Sequence, residues 1–156
     1  MTEAMWEAYI GEDLPAPGDT DRARIERAVG ARLPDDYWAL VVAHQGQTLG
    51  SDPIAVPEQG EVDFGVLLLA LSPATAGDDA SYCVERCLEN LQDYYPAGLL
   101  PFADDTGGNY WAFDFRRDSN QPEVVFIDHE IEGGEGVTPV ASDFAGFQAK
   151  WAGMTA

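Results

Sequence analysis

The feature that most constrains the fold is a set of three strand-like runs in the second half of the chain. These runs are LLPFA (99–103), NYWAFDF (109–115) and EVVFIDHE (123–130), and residues that favour turns lie between them. Short links join antiparallel neighbours, because parallel neighbours need a long crossover. The sequence therefore predicts an antiparallel meander.

The side chains of these runs indicate how the sheet is covered, since successive side chains of a strand point to opposite faces. One face of NYWAFDF is predicted to carry Trp111, Phe113 and Phe115. The other face is predicted to carry Tyr110, Ala112 and Asp114. EVVFID shows no clean alternation, so we expect both faces of that strand to be buried.

Two amphipathic helices are predicted before the strands. DTDRARIERAV predicts a first helix that is capped by Asp19 or Thr20 and ends near Gly30. LPDDYWALVVAHQG predicts a second helix, with Pro34 in its first turn and Gly46 as its stop.

A third helix is predicted over residues 78–93, and it places Cys83 and Cys87 on one apolar stripe. We expect both cysteines to be reduced core residues, because free cysteine packs as a small hydrophobe and no further cysteine could complete a zinc site. SDFAGFQAKWAG predicts a closing helix, with Ser142 as its N-cap and Phe144, Phe147 and Trp151 on one face.

Between the second and third helices, residues 47–59 predict irregular structure or brief strands. VDFGVLLLAL (62–71) predicts a buried strand, with a bulge or bend at Gly65. Helices thus precede, interrupt and follow the strands without βαβ alternation. The expected fold class is α+β, a mostly antiparallel twisted sheet flanked by N-terminal, middle and C-terminal helices. We expect a single domain over 1–156, with a core of about 20–152 and a short N-terminal extension.

The charge balance restricts the partners. The chain has 28 acidic and 8 basic residues, a net charge of -20, which disfavours direct binding to nucleic acid or anionic lipid and favours a basic partner. Alternatively, the acidity serves only solubility. No secretory signal is visible, and the longest apolar run, Val66 to Leu71, is far shorter than a membrane span. A cytoplasmic location is therefore expected.

The stretch PFADDTGGNYWAFDF predicts a β-hairpin corner. Gly107 and Gly108 are expected to supply positive φ values, and Asp104, Asp105 and Asn109 to accept hydrogen bonds from nearby backbone amides. On this interpretation Gly108→Val lowers stability, whereas neutralising Asp105 changes partner affinity little.

The carboxylates of this region have two possible roles. Asp104, Asp105, Asp128, His129 and Glu130 could form a divalent-cation or acid–base site, although carboxylates at turns and strand ends are more often solvated or capping. The spacing does not fit a calcium loop, and TGGN lacks the lysine and following helix of a phosphate-binding loop. We therefore expect no cofactor, no metal and no catalytic residue.

The order of motifs resembles the SUKH superfamily, the Smi/Knr-type domain. The resemblance rests on the LP-x-x-Y of LPDDYWALVVAHQG, the run LLPFADDTGGNYWAFDF, the strand VVFIDHE and the terminal SDFAGF, and it covers roughly residues 20–152. It implies an α+β fold. In bacteria it also implies service as a non-enzymatic immunity protein that binds and neutralises a cognate toxin, often a nuclease.

These arguments predict a protein-binding module, with a cognate toxin or other basic protein as partner. The candidate partner-binding residues are Asp104, Asp105, Asn109, Tyr110, Trp111, Asp128, His129 and Glu130. Further aromatic anchors could come from Trp6, Tyr9, Trp38, Tyr94 and Tyr95. Two alternatives stay open: a regulatory or scaffold domain that binds an endogenous protein, and a metal-dependent enzyme that uses Asp104, Asp105, Asp128 and His129.

Overall fold

Within residues 5–50 and 53–151, which the computed structural model describes, the chain forms eight strands and five α-helices. In chain order they are β1 (Met5–Ala8), α1 (Asp19–Val29), α2 (Asp35–His44), β2 (Gln47–Gly50), β3 (Ile54–Val56), β4 (Gly60–Val62), α3 (Pro73–Ala76), α4 (Val84–Leu91), β5 (Leu99–Asp104), β6 (Tyr110–Asp114), β7 (Glu123–Ile127), β8 (Val137–Ala141) and α5 (Phe144–Trp151). Two 3-10 segments occupy Gly77–Tyr82 and Gly134–Gly136. None of the helices in these residues is long and apolar enough to cross a bilayer.

The main sheet is a four-stranded antiparallel meander in the order β5-β6-β7-β8. The predicted α+β class and meander are confirmed. The fourth strand, VTPVA, was not predicted, because it is short and carries Pro139 in its middle. Two small antiparallel pairs, β1 with β2 and β3 with β4, complete the strands; residues 51 and 52 lie outside the described chain.

The two faces of the meander bury different clusters, which agrees with the alternation predicted in β6 and with the two buried faces predicted for β7. The larger cluster contains Trp111, Phe113, Phe115, Val124 and Phe126, together with side chains of α1, α2 and α5. The smaller cluster contains Leu91, Leu99, Ala112, Val125 and Ile127, with Tyr95 and Tyr110 packed against it. Both faces of β7 are therefore buried.

Aromatic rings fill the centre of the larger cluster. Tyr37 of α2 is fully buried, and its ring centroid lies 5.1 Å from that of Phe113 and 5.9 Å from that of Phe144. The ring of Trp111 is tilted against that of Phe147, with centroids 5.2 Å apart. These contacts fix α2 and α5 on one face of the sheet. The predicted apolar face of α5 is confirmed for Phe144 and Phe147, which are buried. The side chain of Trp151 lies outside the part of the chain that the structure describes.

Residues 62–71 do not form the predicted continuous strand. After β4 the chain is extended and makes only isolated bridges, Thr48 with Val66, Leu67 with Ala103 and Leu69 with Cys83. It thereby links β2 to the edge of β5, and its residues from 64 to 71 are buried. Gly65 is required here because a Cβ would overlap Asp104 Oδ1 and the adjoining backbone.

The predicted helix over residues 78–93 is also wrong, since it is broken at Cys83. Cys83 adopts an extended conformation (φ -77°, ψ 140°) between the 3-10 segment and α4. The physical reason is a competing backbone pairing: Leu69 N–H donates to Tyr82 O and Val84 N–H donates to Leu69 O, both at 2.9 Å.

The two cysteines consequently lie in different places instead of on one stripe. Cys83 packs with Leu69 and Ala76, whereas Cys87 lies in the larger cluster. Both are free and buried. Burial raises the pKa of Cys83 to about 11 and that of Cys87 to about 12, which keeps the thiols protonated and unreactive.

The start of α1 differs by one residue from the prediction. Gly18, rather than Asp19 or Thr20, is the N-cap, and its N–H donates to Asp21 Oδ2 (3.0 Å). The predicted end is confirmed, because Gly30 adopts a left-handed conformation (φ 77°).

Helices α2 and α5 show similar shifts. The C-cap of α2 is Gln45, and the positive φ of Gly46 (78°) redirects the chain one residue later. At the start of α5, the carboxylate of Asp143 accepts from Gly146 N–H (2.8 Å), so Asp143 takes the capping role predicted for Ser142.

Candidate functional site

A half-open cleft of about 440 Å³ lies beside the smaller cluster. The end of α4, the β5–β6 hairpin and the loop after β7 form its walls. Three tyrosines, Tyr94, Tyr95 and Tyr110, line it, and the polar groups are Asn90, His129 and Glu132. Such a concave surface with a few convergent polar groups is the expected form of a binding site.

The hairpin beside the cleft is organised by Asp105, which is only 8% exposed. Its Oδ1 accepts from Gly107 N–H (2.9 Å) and Asn109 N–H (2.8 Å), and its Oδ2 accepts from Asn109 Nδ2 (2.9 Å). Of the two glycines expected to have positive φ, only Gly108 (91°) does. Asp105 is thus a turn residue, as predicted, and Gly107 is not needed for backbone freedom.

Asn109 connects the hairpin to the end of β7. Its amide nitrogen faces the Asp105 carboxylate, which can only accept, so its Oδ1 faces His129. That oxygen accepts from His129 N–H (2.9 Å) and lies 2.6 Å from His129 Nδ1. Nδ1 must therefore carry a proton, and in the neutral ring Nε2 is left as an acceptor on a side chain that lines the cleft.

Asp104 is turned away from the cleft. Its Oδ1 accepts from Val66 N–H (2.7 Å), which fastens the extended segment to β5. Burial raises the pKa of Asp104 to about 6, and the nearby charges of Asp105 and Asp63 act in the same direction. Asp104 is a structural group with little surface to present.

Asp128 and Glu130 lie on the loop after β7. The carboxylate of Asp128 accepts from Glu130 N–H (2.9 Å) and from Gln59 Nε2 (3.1 Å), while its carbonyl accepts from the Tyr95 hydroxyl (2.6 Å). Glu130 is exposed. These contacts hold the loop against β3–β4 on one side and against the cleft on the other.

The two aromatic candidates of β6 have different surroundings. Trp111 is fully buried, and its Nε1–H donates to Asp63 O (3.2 Å), so it has no surface to offer a partner. Tyr110 is half-buried and lines the cleft. Burial raises the pKa of Tyr110 to about 12, so its phenol is neutral at physiological pH.

The structure therefore brings only part of the predicted set together. Tyr110 and His129 line the cleft, with Asp128 and Glu130 beside it and Asn109 bonded to His129. Asp104 and Asp105 instead accept hydrogen bonds from backbone amides, and Trp111 lies in the core. Sequence reasoning missed Asn90 and Glu132. Neither gave a signal, because an isolated polar residue on a helix or loop is typical of any surface.

The other aromatic candidates are distributed over the molecule. Tyr9 is 58% exposed and Trp38 is 8% exposed, while Trp6 stacks on His44 with centroids 4.7 Å apart. Only Tyr94 and Tyr95 lie at the cleft. They belong to YYP, which follows the end of α4, and this aromatic pair was the sequence signal for that wall of the cleft.

The cleft is acidic and carries no cation among the residues that line it. In the described chain, the ion pairs use Arg22, Arg24, Arg86, Arg116 and Arg117. No ion pair found within 5–50 and 53–151 includes Asp128, Glu130 or Glu132. Their negative charge is not offset by a contacting basic side chain of these residues.

A metal-based chemistry gains no support from the geometry. No group of three or more His, Cys, Asp or Glu side chains among the described residues is placed to hold a metal ion. The carboxylates of Asp104 and Asp105 instead accept hydrogen bonds from backbone amides.

The four-stranded meander, the covering helices and the tyrosine-lined cleft define a small α+β protein. A sequence model of the SMI1 / KNR4 family (SUKH-1) matches residues 17–150, and the protein belongs to this family. The resemblance found in its motifs is thereby confirmed. Proteins of this family are generally not enzymes and are commonly immunity-like. None of the curated proteins compared with the chain matches it.

Proposed function

We propose that this protein is an immunity protein, a binding module that neutralises a cognate toxin by direct contact. The observation that carries the proposal is the acidic loop of Asp128, Glu130 and Glu132 beside the tyrosine-lined cleft, whose lining contains neither Arg nor Lys. The partner is expected to be basic, as many nucleases are, and the proposal assumes the cytoplasmic location predicted from the sequence.

Charge and aromatic surface would have separate tasks in such a complex. A net charge of -20 speeds the encounter with a basic protein and makes the rate sensitive to salt. The exposed tyrosines would supply affinity, because aromatic anchors in a concave site are typical hot spots. Blocking the partner's surface requires no chemistry from this chain.

The direct test is co-expression with the product of the neighbouring reading frame. We expect that product to arrest growth alone, and this protein to restore growth and to co-purify with it. A neighbour that is neither toxic nor bound would refute the immunity proposal. A stable endogenous partner, captured from cells that lack any toxin locus, would instead favour the scaffold alternative.

A pair of charge reversals tests where the partner binds. Glu130→Lys changes the exposed acidic loop, and Glu12→Lys makes the same change in net charge at an exposed position after β1. We expect Glu130→Lys to slow association severalfold at low salt, and Glu12→Lys to have a smaller effect. Equal effects would mean that only the net charge matters, and the acidic loop would not be the interface.

A further inference from the structure

We propose that the cleft receives an arginine side chain of the partner, with the guanidinium between the tyrosine rings and the carboxylate of Glu132. This inference rests on the proposed function, since it names the chemistry by which the partner would be recognised. It uses three features of the cleft: its aromatic walls, its negative charge and its free acceptors.

The aromatic walls are partly fixed before any ligand arrives. The Tyr95 hydroxyl donates to Asp128 O (2.6 Å), which orients its ring. The backbone carbonyl of Tyr94 accepts from Gly133 N–H (2.8 Å), so the tyrosine is tied to the opposite loop. The side chain of Tyr94 is nevertheless 54% exposed. An exposed aromatic face over a preformed cleft is a suitable surface for a cation.

The negative charge lies at the same place. Glu132 lines the cleft with Tyr95, and the Tyr95 hydroxyl donates to the carbonyl of Asp128. Burial raises the pKa of Tyr95, and the charges of Asp128 and Glu132 act in the same direction. Arg and Lys are absent from the lining. An anionic ligand would be repelled, whereas a cationic side chain would be attracted.

The acceptors favour a guanidinium over other cations. In the neutral imidazole of His129, Nε2 is an acceptor because Nδ1–H is donated to Asn109, and Glu132 presents a carboxylate. Arginine carries five N–H donors on a planar group that also stacks on aromatic rings, while lysine carries a compact ammonium. Tyr94, which is exposed and lines the cleft, provides an apolar ring surface for the aliphatic part of the side chain.

The inference can be tested without a known partner. The probe is the capped tripeptide acetyl-Gly-Arg-Gly-amide, compared with its citrulline and lysine counterparts, in a titration followed by NMR signals of the tyrosine rings and the His129 imidazole. We expect weak saturable binding of the arginine peptide, with shifts concentrated at Tyr94, Tyr95, Tyr110 and His129. Citrulline should not bind, because it keeps the shape and loses the charge, and lysine should bind more weakly.

Matched variants locate the contact. Tyr94→Leu removes an aromatic face, and Glu132→Gln removes the charge; each should weaken the arginine peptide at least about threefold. Tyr9→Leu removes an equally exposed tyrosine elsewhere and should leave binding unchanged. The inference is overturned if citrulline or lysine binds as well as arginine, if shifts spread over the whole acidic surface, or if Tyr9→Leu weakens binding as much as Tyr94→Leu.

Failure of this inference differs from failure of the proposed function. If the neighbouring toxin is neutralised equally by the parent protein and by Tyr94→Leu, and the arginine peptide does not bind, the cleft assignment is wrong and the immunity function stands. If the peptide binds but no neighbouring product is toxic or bound, the cleft assignment stands and the immunity function is wrong.

Discussion

Replacing Asp104 with asparagine should make the protein more stable at neutral pH. The side chain carries a partly buried charge, and its carboxylate accepts a hydrogen bond from Val66 N–H (2.7 Å). Asparagine keeps an acceptor oxygen for that hydrogen bond and removes the charge. The gain follows from the cost of holding an ionised carboxyl in a poorly solvated place near Asp105 and Asp63.

The size of the effect follows from the pKa. The pKa of Asp104 is 3.8 in the unfolded chain, its ordinary value, and about 6 in the folded protein. The folded state therefore binds this proton more tightly. The stabilisation by the proton is complete below the unfolded pKa and is lost as the pH rises through about 6. Two pKa units correspond to about 3 kcal/mol. Because the group is partly exposed, solvent screening reduces the expected gain to roughly 1–2 kcal/mol.

The assay is urea unfolding of the parent and Asp104→Asn at about pH 8 and about pH 5, at fixed ionic strength. At the higher pH we expect Asp104→Asn to have a larger free energy of unfolding than the parent. At the lower pH we expect this difference between variant and parent to be about half as large. Asp13→Asn, at an exposed turn position, removes the same charge and controls for the net charge. The reasoning fails if Asp104→Asn and Asp13→Asn raise the free energy of unfolding equally. It also fails if Asp104→Asn lowers the free energy of unfolding by the same amount at both pH values.

Three further predictions concern local structure, and each is measured by urea unfolding. Gly108→Ala should lower the free energy of unfolding by about 1–2 kcal/mol, because its φ of 91° strains any other residue, while Gly107→Ala should cost much less; equal losses would contradict this account of the hairpin. Tyr37→Phe should be neutral or stabilising, because the buried hydroxyl has no hydrogen-bond partner in the described chain; a loss above about 1 kcal/mol would reveal one. Asp143→Ala should cost about 1 kcal/mol as a lost cap, and Ser142→Ala should cost little; the reverse order would restore the serine as N-cap.

The sequence predicted best what depends on local pattern. Alternation in NYWAFDF placed Trp111 and Phe113 on the face that forms the larger cluster, and the left-handed Gly30 ended α1 as expected. The sequence failed where distant backbone decides the outcome. The pairing of Leu69 with Cys83 interrupts the helix that periodicity predicted over residues 78–93. The residues near Cys83 in the sequence do not indicate that Leu69 will pair there.

In the candidate site, too, the local contacts were predicted and the contacts between distant segments were not. Asp105 was recognised as a turn residue because its partners lie within four residues of it. The cleft was not predicted, since it joins Asn90 of α4 to Glu132 of a loop 42 residues later. The family motif itself marks the interior: Leu33 and Tyr37 of LP-x-x-Y are 2% and 0% exposed, so they report the fold and not the binding surface.

Strand β1 has a practical consequence for choosing where to cut the chain. It precedes the family match at residues 17–150, yet all four of its residues pair with β2. Trimming the chain to the matched residues would expose the edge of β2 that pairs with β1. An unpaired strand edge is a template for association between molecules. The stack of Trp6 on His44 would be lost as well. A shortened protein of this kind should self-associate, and its poor behaviour in solution would reflect the missing strand and not a weakness of the meander.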